Sequence, residues 1–443
     1  MRRFLLLLTV ILPFTAMAQN ETDALKIKYK KNSEDLIIFE GLKYQLIKDG
    51  KGNDVAMLAN GNEWIGELTI PSSINYQGKD YTVFCIQSLA FHQCQTLTRV
   101  TIPSTVQGIL QNASMGMYGY SNPFLGCTAL ERIEVVDDNN WLCDVDGILF
   151  SKDMTRLYAY PSGATQTSYD VPEGTTRIYQ SAISYNASLQ KITLPLSVEK
   201  IDAGAFSDCP NLKEIILSEK LTYLSAFVFK NCKSLESVNI PTSVKETGEQ
   251  IFMGCSSLTT ITLPVGLTSV GSLAFQNCTS LKSAILPSTL QSVSHGMFSG
   301  CSRLVDVLIP EGVERVEASA FNDCVSLKRL DIPQSVTYIA SYPFSNCAMD
   351  ALIIRGKLIH PNNHLFDWLD VSTIIYTIPE QVNEFKNFYS GLVLPLSSYD
   401  TINKTTYLPA DCNNSWYNLK GQQISTPINK GLFIHKGKKY LKY

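Results

Sequence analysis

Over residues 206–347 the apolar positions recur every 23 residues. Phenylalanine stands at 206, 229, 252, 275, 298, 321 and 344, leucine at 212, 235, 258, 281, 304 and 327, and proline at 241, 264, 287, 310 and 333. Cysteine keeps the same step at Cys209, Cys232, Cys255, Cys278, Cys301, Cys324 and Cys347. A fixed period between about 20 and 50 residues is the mark of a solenoid, whose units bury their apolar sides only against their neighbours. In the unit 264–286 the short run 281–286 has apolar residues at its inward positions and stops at Pro287, which cannot donate to a sheet ladder. It reads as one strand. Strands stacked one per unit run the same way, so the sheet is parallel and the returning segment covers its inner side.

Upstream the period is interrupted. Residues 36–66 hold apolar runs divided by Asp49-Gly50-Lys51-Gly52, which read as hairpins of an N-terminal β cap over residues 19–67 that covers the solenoid's open first strand. Repeat spacing begins at Leu68, and the regular unit around Phe91, Cys94 and Leu97 follows an excess segment, Tyr76 to Tyr81, that reads as a turn between two short strands. A second excess near residues 112–120 carries Met115, Met117, Tyr118 and Tyr120; it is either an exposed contact surface or a loop folded back on the solenoid. After Cys127 the cysteine slot returns only at Asn186, 59 residues on. The extra residues, about 137–170, hold two strand-like runs, one around Asp144 to Phe150 and one around Leu157 to Pro161. Asp146-Gly147 reads as a turn, since Asp144 and Asp146 lack the further oxygen ligands and closing glutamate of a calcium loop. The array degenerates where Asp350 replaces the expected leucine, which predicts a solenoid over 68–356 and a C-terminal cap over 357–411, with a helix-like stretch at 380–389.

The consensus, roughly Pro-x-x-Val-x-x-Ile-x-x-x-Ala-Phe-x-x-Cys-x-x-Leu-x-x-Ile-x-Leu, resembles the BspA-like leucine-rich repeats of exported Bacteroidetes-type surface proteins, over about residues 68–355. The resemblance implies a curved leucine-rich-repeat solenoid and a role in surface binding or adhesion; it supplies no catalytic residue. Hairpin inserts such as 137–170 occur in the same family. Residues 412–443 carry six lysines and no acid, and their two hairpin-like runs resemble the C-terminal β modules of such proteins. The segment is shorter than a full sorting domain, and reads either as a sorting or attachment element or as capping structure.

Charge, cysteines and histidines narrow the chemistry. A net charge of −3 on 443 residues gives no electrostatic case for nucleic acid. Residues 1–18 read as a secretory signal: Arg2 and Arg3, an apolar run too short to span a bilayer, then Ala16-Met17-Ala18. No other segment is apolar enough to cross a membrane. Cys94, Cys127, Asn186 and the seven cysteines above share one repeat position. Successive coils sit about 4.8 Å apart, and identical side chains there point the same way, so the slot reads as a ladder of buried thiols and not as disulfides. Asn186 fits a slot that needs a donor for a neighbouring carbonyl. Cys85, Cys143 and Cys412 lie off the ladder, and a bond among them stays open. His360 and His364 are four apart, but Pro361 disfavours the helix that would align them, and no nucleophile elbow, metalloprotease or phosphate-loop motif occurs. No cofactor or metal is called for, and the chain reads as a non-enzyme.

The candidate site is the sheet face. Outward residues Thr193, Ile216, Asn239, Thr262, Ile285, Leu308 and Asp331 form one column on the face that the resemblance makes concave, and Lys191, Glu214, Ser237, Thr260, Ser283, Asp306 and Arg329 form its neighbour. Solenoid faces of this kind bind partners, and the sequence reading is an exported protein that binds an extracellular protein or glycan there. The alternatives are a self-assembling envelope protein, and a glycan-processing accessory enzyme if Asp144, Asp146 and Asp153 converge.

Overall fold

The computed structural model describes residues 36–110, 122–359, 361 and 363–403, together with the backbone of 416–417, 423–424, 431–435 and 438–442. The predicted signal at 1–18, the loop at 112–120, His360 and Cys412 lie outside the described residues. The chain is a solenoid of parallel strands. The first ladder is built in hydrogen-bonded runs, Lys191–Thr193 with Glu214–Ile216, then Thr260–Thr262 with Ser283–Ile285 and Asp306–Leu308, then the run that begins at Arg329–Ile332. These are the strands that the Leu-x-x-Ile-x-Leu pattern predicts, paired in parallel with the repeat's own register, such as Thr262↔Ile285 and Ile285↔Leu308.

Most coils also make a second, shorter strand, among them Lys200–Ile201, Tyr223–Leu224, Ser292–Val293, Arg315–Val316 and Tyr338–Ile339. Neighbouring members pair in parallel, in runs that form a second ladder across the core from the first. Two residues are too few for an alternation to register in sequence.

Between the ladders each coil turns through Ala-Phe-x-x-Cys. The phenylalanine rings are fully buried and stack coil upon coil, with centroids 5.5 Å apart for Phe252–Phe275 and for Phe275–Phe298. The residue before each cysteine takes a left-handed conformation, with φ of +57° at Asp208, +59° at Asn231 and Asn277, +76° at Gly254 and +75° at Gly300. Asn, Asp and Gly populate that slot because other residues pay a steric cost there.

The cysteines fill the space beneath that turn. The Cys209 thiol donates to the carbonyl of Ile183 at 2.9 Å, and from Cys232 onward each thiol donates to the carbonyl of the phenylalanine one coil earlier, such as Cys232 to Phe206 at 3.2 Å, Cys278 to Phe252 at 3.1 Å and Cys347 to Phe321 at 3.0 Å. That same carbonyl already accepts the backbone N–H of its own coil's cysteine, as Phe229 does from Cys232 at 3.2 Å. The thiol therefore occupies the second lone pair of a buried oxygen. At Asn186 the side chain donates to the carbonyls of Pro161, Ser162 and Ala164 at 3.3, 3.2 and 2.9 Å, while its oxygen accepts the N–H groups of Ser188 and Leu189, both at 2.8 Å.

Cys85, Cys143 and the ladder cysteines are free thiols. Burial pushes the Cys209 and Cys301 thiols up to about 12 and the Cys278 thiol well above its ordinary value. Because the thiolate is the nucleophile, iodoacetamide at pH 8 is expected to leave the ladder unmodified in the folded protein and to label it only on unfolding, with half-buried Cys143 reacting first among the described cysteines. Peptide mapping reads this directly; rapid native labelling of Cys278 would contradict the ladder.

The insert at 137–170 contributes Leu142–Val145, Ile148–Ser151 and Arg156–Ala159. Asp146 and Gly147, with φ of +54° and +80°, form the two-residue hairpin turn that such a pair favours. Arg156–Ala159 then pairs in parallel with Arg177–Ile178, so the hairpin is built into the second ladder. Its strand Ile148–Ser151 is buried along its whole length. Leu149 faces the core that holds Phe91 and Phe124, and Ile148 and Phe150 face the core that holds the phenylalanine stack. The insert is thus a wall shared by two arrays.

At the N-terminus Ile37–Phe39, Leu42–Lys48 and Asp54–Asn60 form an antiparallel meander whose last strand pairs in parallel with Lys79–Gln87, feeding the cap into the second ladder. The boundary expected at Gly356 does not hold for the sheet. Arg329–Ile332 pairs in parallel with Ala351–Ile354, then come Ile374–Thr377 and Val393–Pro395. Coiling continues because Phe366 and Leu369, both buried, follow Phe344 and Cys347 at a step of 22. Two helices close this end, α1 (Val382–Lys386) and α2 (Leu396–Asn403). In the tail, Trp416–Tyr417 pairs antiparallel with Gln423–Ile424 and with Gly431–His435, which pairs in turn with Lys438–Lys442.

Candidate binding face

The outward column runs from Asp170 and Thr193 through Ile216, Asn239, Thr262, Ile285, Leu308 and Asp331, and continues through Ile353, Tyr376 and Leu394. Ile216 is 44% exposed and Ile285 41%, and Asn239 and Thr262 are exposed beside them. Thr193 is half-buried.

Two residues depart from the expected exposed column. Leu308 is buried, at 5% exposure. It pairs with Ile285 on one side, and its strand packs on the other side against the one bearing Asp331. Neighbours about 4.8 Å away on both sides cover a long apolar side chain. Asp331 is held by Arg355 in a two-pronged pair, Nε to Oδ1 at 2.7 Å and Nη2 to Oδ2 at 3.0 Å, with Arg329 at 3.6 Å. Its charge is matched within the protein, so it offers little to a ligand.

The far end of the column, legible in sequence only as strand-like residues, is covered by the chain itself. Tyr399 of α2 packs on Ile353 and Tyr376, its ring centroid 4.9 Å from that of Tyr376, and Leu394 and Leu396 complete the cluster. The open face therefore ends at the Asp331–Arg355 pair. At its other end Lys191 and Glu214 pair at 3.0 Å in the neighbouring column. What remains between is a strip of Ile216, Asn239, Thr262 and Ile285, with Val305, 55% exposed, at the start of the strand that carries Leu308.

The insert carboxylates hold turns. Asp144 accepts the N–H groups of Val135 at 2.8 Å and Gly147 at 3.3 Å, whereas Asp153 accepts the hydroxyl of Ser151 at 2.6 Å and the N–H of Thr155 at 3.1 Å. His364 meets Asp367 at 2.7 Å and stacks on Tyr342. Among the described residues no group of three His, Cys, Asp or Glu side chains is placed to hold a metal ion, and no helix is long and apolar enough to cross a membrane.

Coils of about 23 residues, a parallel strand in each and a stacked Phe–Cys turn define a leucine-rich-repeat solenoid. The chain belongs to the family described as BspA type leucine rich repeat region, which matches in 6 copies over residues 65–121, 176–305 and 292–420 and leaves out the insert. No curated protein matches the chain. Among solved structures it is similar to the T. pallidum leucine rich repeat protein, 28% identical over 40% of this chain and 86% of that one, with a TM-score of 0.37. It is similar also to a leucine rich cell surface protein from Faecalibacterium prausnitzii A2-165, 24% identical over 75% and 98% of the two chains, TM-score 0.44. A leucine-rich repeat protein from Bacteroides ovatus ATCC 8483 is 23% identical over 77% and 99%, TM-score 0.40.

Proposed function

We propose that this is an exported surface protein that binds an extracellular protein or glycan through the strip between Ile216 and Val305. The observation that carries the reading is the exposure of Ile216 and Ile285 on the outward face of stacked coils whose far end is already covered by packed apolar side chains. Strand propensity alone accounts for isoleucine in a strand, but the exposed Ile285 and Val305 stand in neighbouring coils, and grouped exposed apolar side chains mark interaction sites. The leader-like residues 1–18 support export, and the lysine-rich segment 412–443 is assigned here to attachment or sorting. Affinity would be spread over many contacts with a few dominant residues.

The test is a screen of residues 19–443 against arrayed glycans and extracellular-matrix proteins, in parallel with the double variant Ile216→Ser/Ile285→Ser. A ligand retained by the wild type and lost by the variant is the expected result. Retention by both would move the site off the sheet face, and absence of any ligand would favour a self-assembling envelope role.

A further inference from the structure

Helix α2 displays what this face accepts. Its Leu396 and Tyr399, three residues apart and so on one side of the helix, join the cluster of Ile353, Tyr376 and Leu394. Its polar edge is matched as well: the Arg329 guanidinium sits 4.9 Å from the Tyr399 ring centroid, and Arg355 bridges Asp331 and, at 3.9 Å, Asp400. An apolar helix side laid on the column, with a carboxylate turned to an arginine at the margin, is the chain's own solution to covering three strands.

The next coils toward the N-terminus repeat those ingredients, and among the described residues no helix lies over them. Ile285 and Val305 are exposed and Leu308 lies between the coil of Ile285 and that of Asp331. Lys282 and Lys328, one coil to either side of Val305, are exposed, as are Arg303 and Arg329. Asp306 is the acidic side chain among them and already has a partner.

We infer that the strip from Thr262 to Val305 holds an amphipathic helix with acidic flanks, supplied by a partner protein. This deepens the proposed binding function and rests on it. Apolar anchors at i, i+3 or i+4 and i+7 would seat on Ile285, Val305 and the edge of Leu308, and Asp or Glu beside them would meet Lys282 and Lys328.

The experiment displays two helical-peptide libraries to residues 19–443, identical in their apolar positions and carrying either Asp/Glu or Lys/Arg on the flanks. Binders are expected from the acidic library. Their affinity should fall at least about tenfold in Ile285→Asp and in Lys282→Glu/Lys328→Glu, with the melting curves of both variants unchanged. Binders from the basic library alone, no binders from either, or acidic binders indifferent to both variants would overturn the inference. If the arrayed ligands still bind and depend on Ile216 and Ile285 while no acidic helix does, the sheet-face function stands and the helical partner falls.

Discussion

Phe275→Ala is expected to destabilise the protein by about 3–5 kcal/mol, the range for removing a fully buried aromatic side chain. Its ring is wholly inaccessible and lies between two others, inclined by 7° to Phe252 and 11° to Phe298, so the truncation opens a cavity and breaks the stack in the middle. In the preceding coil, Thr262→Ala changes an exposed outward side chain and should stay within about 0.5 kcal/mol of wild type. Urea titration of the two variants measures the contrast. A solenoid's stability is carried by coil-to-coil interfaces, so the Phe275 variant should also broaden the transition as the halves on either side uncouple. Equal midpoint shifts would contradict the assignment of inward and outward positions.

Asn186→Ala is the second large effect. The side chain serves three carbonyls of the preceding coil and two N–H groups of its own, all within the buried junction between the insert and the main array. Leaving a buried polar group without a partner costs about 1–3 kcal/mol, and several are orphaned at once, so a loss of at least about 3 kcal/mol is expected. Asn186→Cys installs the residue found in the neighbouring coils but returns only one weak donor; it should recover less than half of that loss. Amide exchange at Ser188 and Leu189 reports the site locally and should accelerate in both variants. Protection unchanged from wild type would show that water or neighbouring backbone takes over the role of the amide.

The period of the array was legible because one coil's demands repeat: a ring for the stack, a small donor beneath the turn, and leucine facing inward. Asn186 stood out for the same reason, since a larger polar residue in the thiol slot implies more carbonyls to satisfy. Features that depend on contact between coils were not legible. The second ladder uses two residues per coil, too few for a pattern. Leu308 occupies an outward position but is covered by the coils on either side of it. The sheet runs past Gly356 because Phe366 and Leu369 stand in for phenylalanine and cysteine after a step of 22 instead of 23. The cover on Ile353 and Tyr376 comes from α2, a segment whose sequence, Leu-Ser-Ser-Tyr-Asp-Thr-Ile-Asn, carries little helical signal alone. One signal was present and unread: the residue before each ladder cysteine is Asp, Asn or Gly from 208 to 346, the composition of a left-handed turn.

The most direct test of the sheet-face account is a steric block within a single coil. Thr262→Trp places a large side chain in the middle of the open strip, whereas Ser269→Trp places the same side chain on the second ladder, where Ser269 is exposed beside Glu246. Binding of a ligand found in the array screen, measured by titration calorimetry, should weaken at least about tenfold in the first variant and stay at the wild-type level in the second. Equal affinity in both variants, or a loss confined to Ser269→Trp, would contradict a binding site on this face.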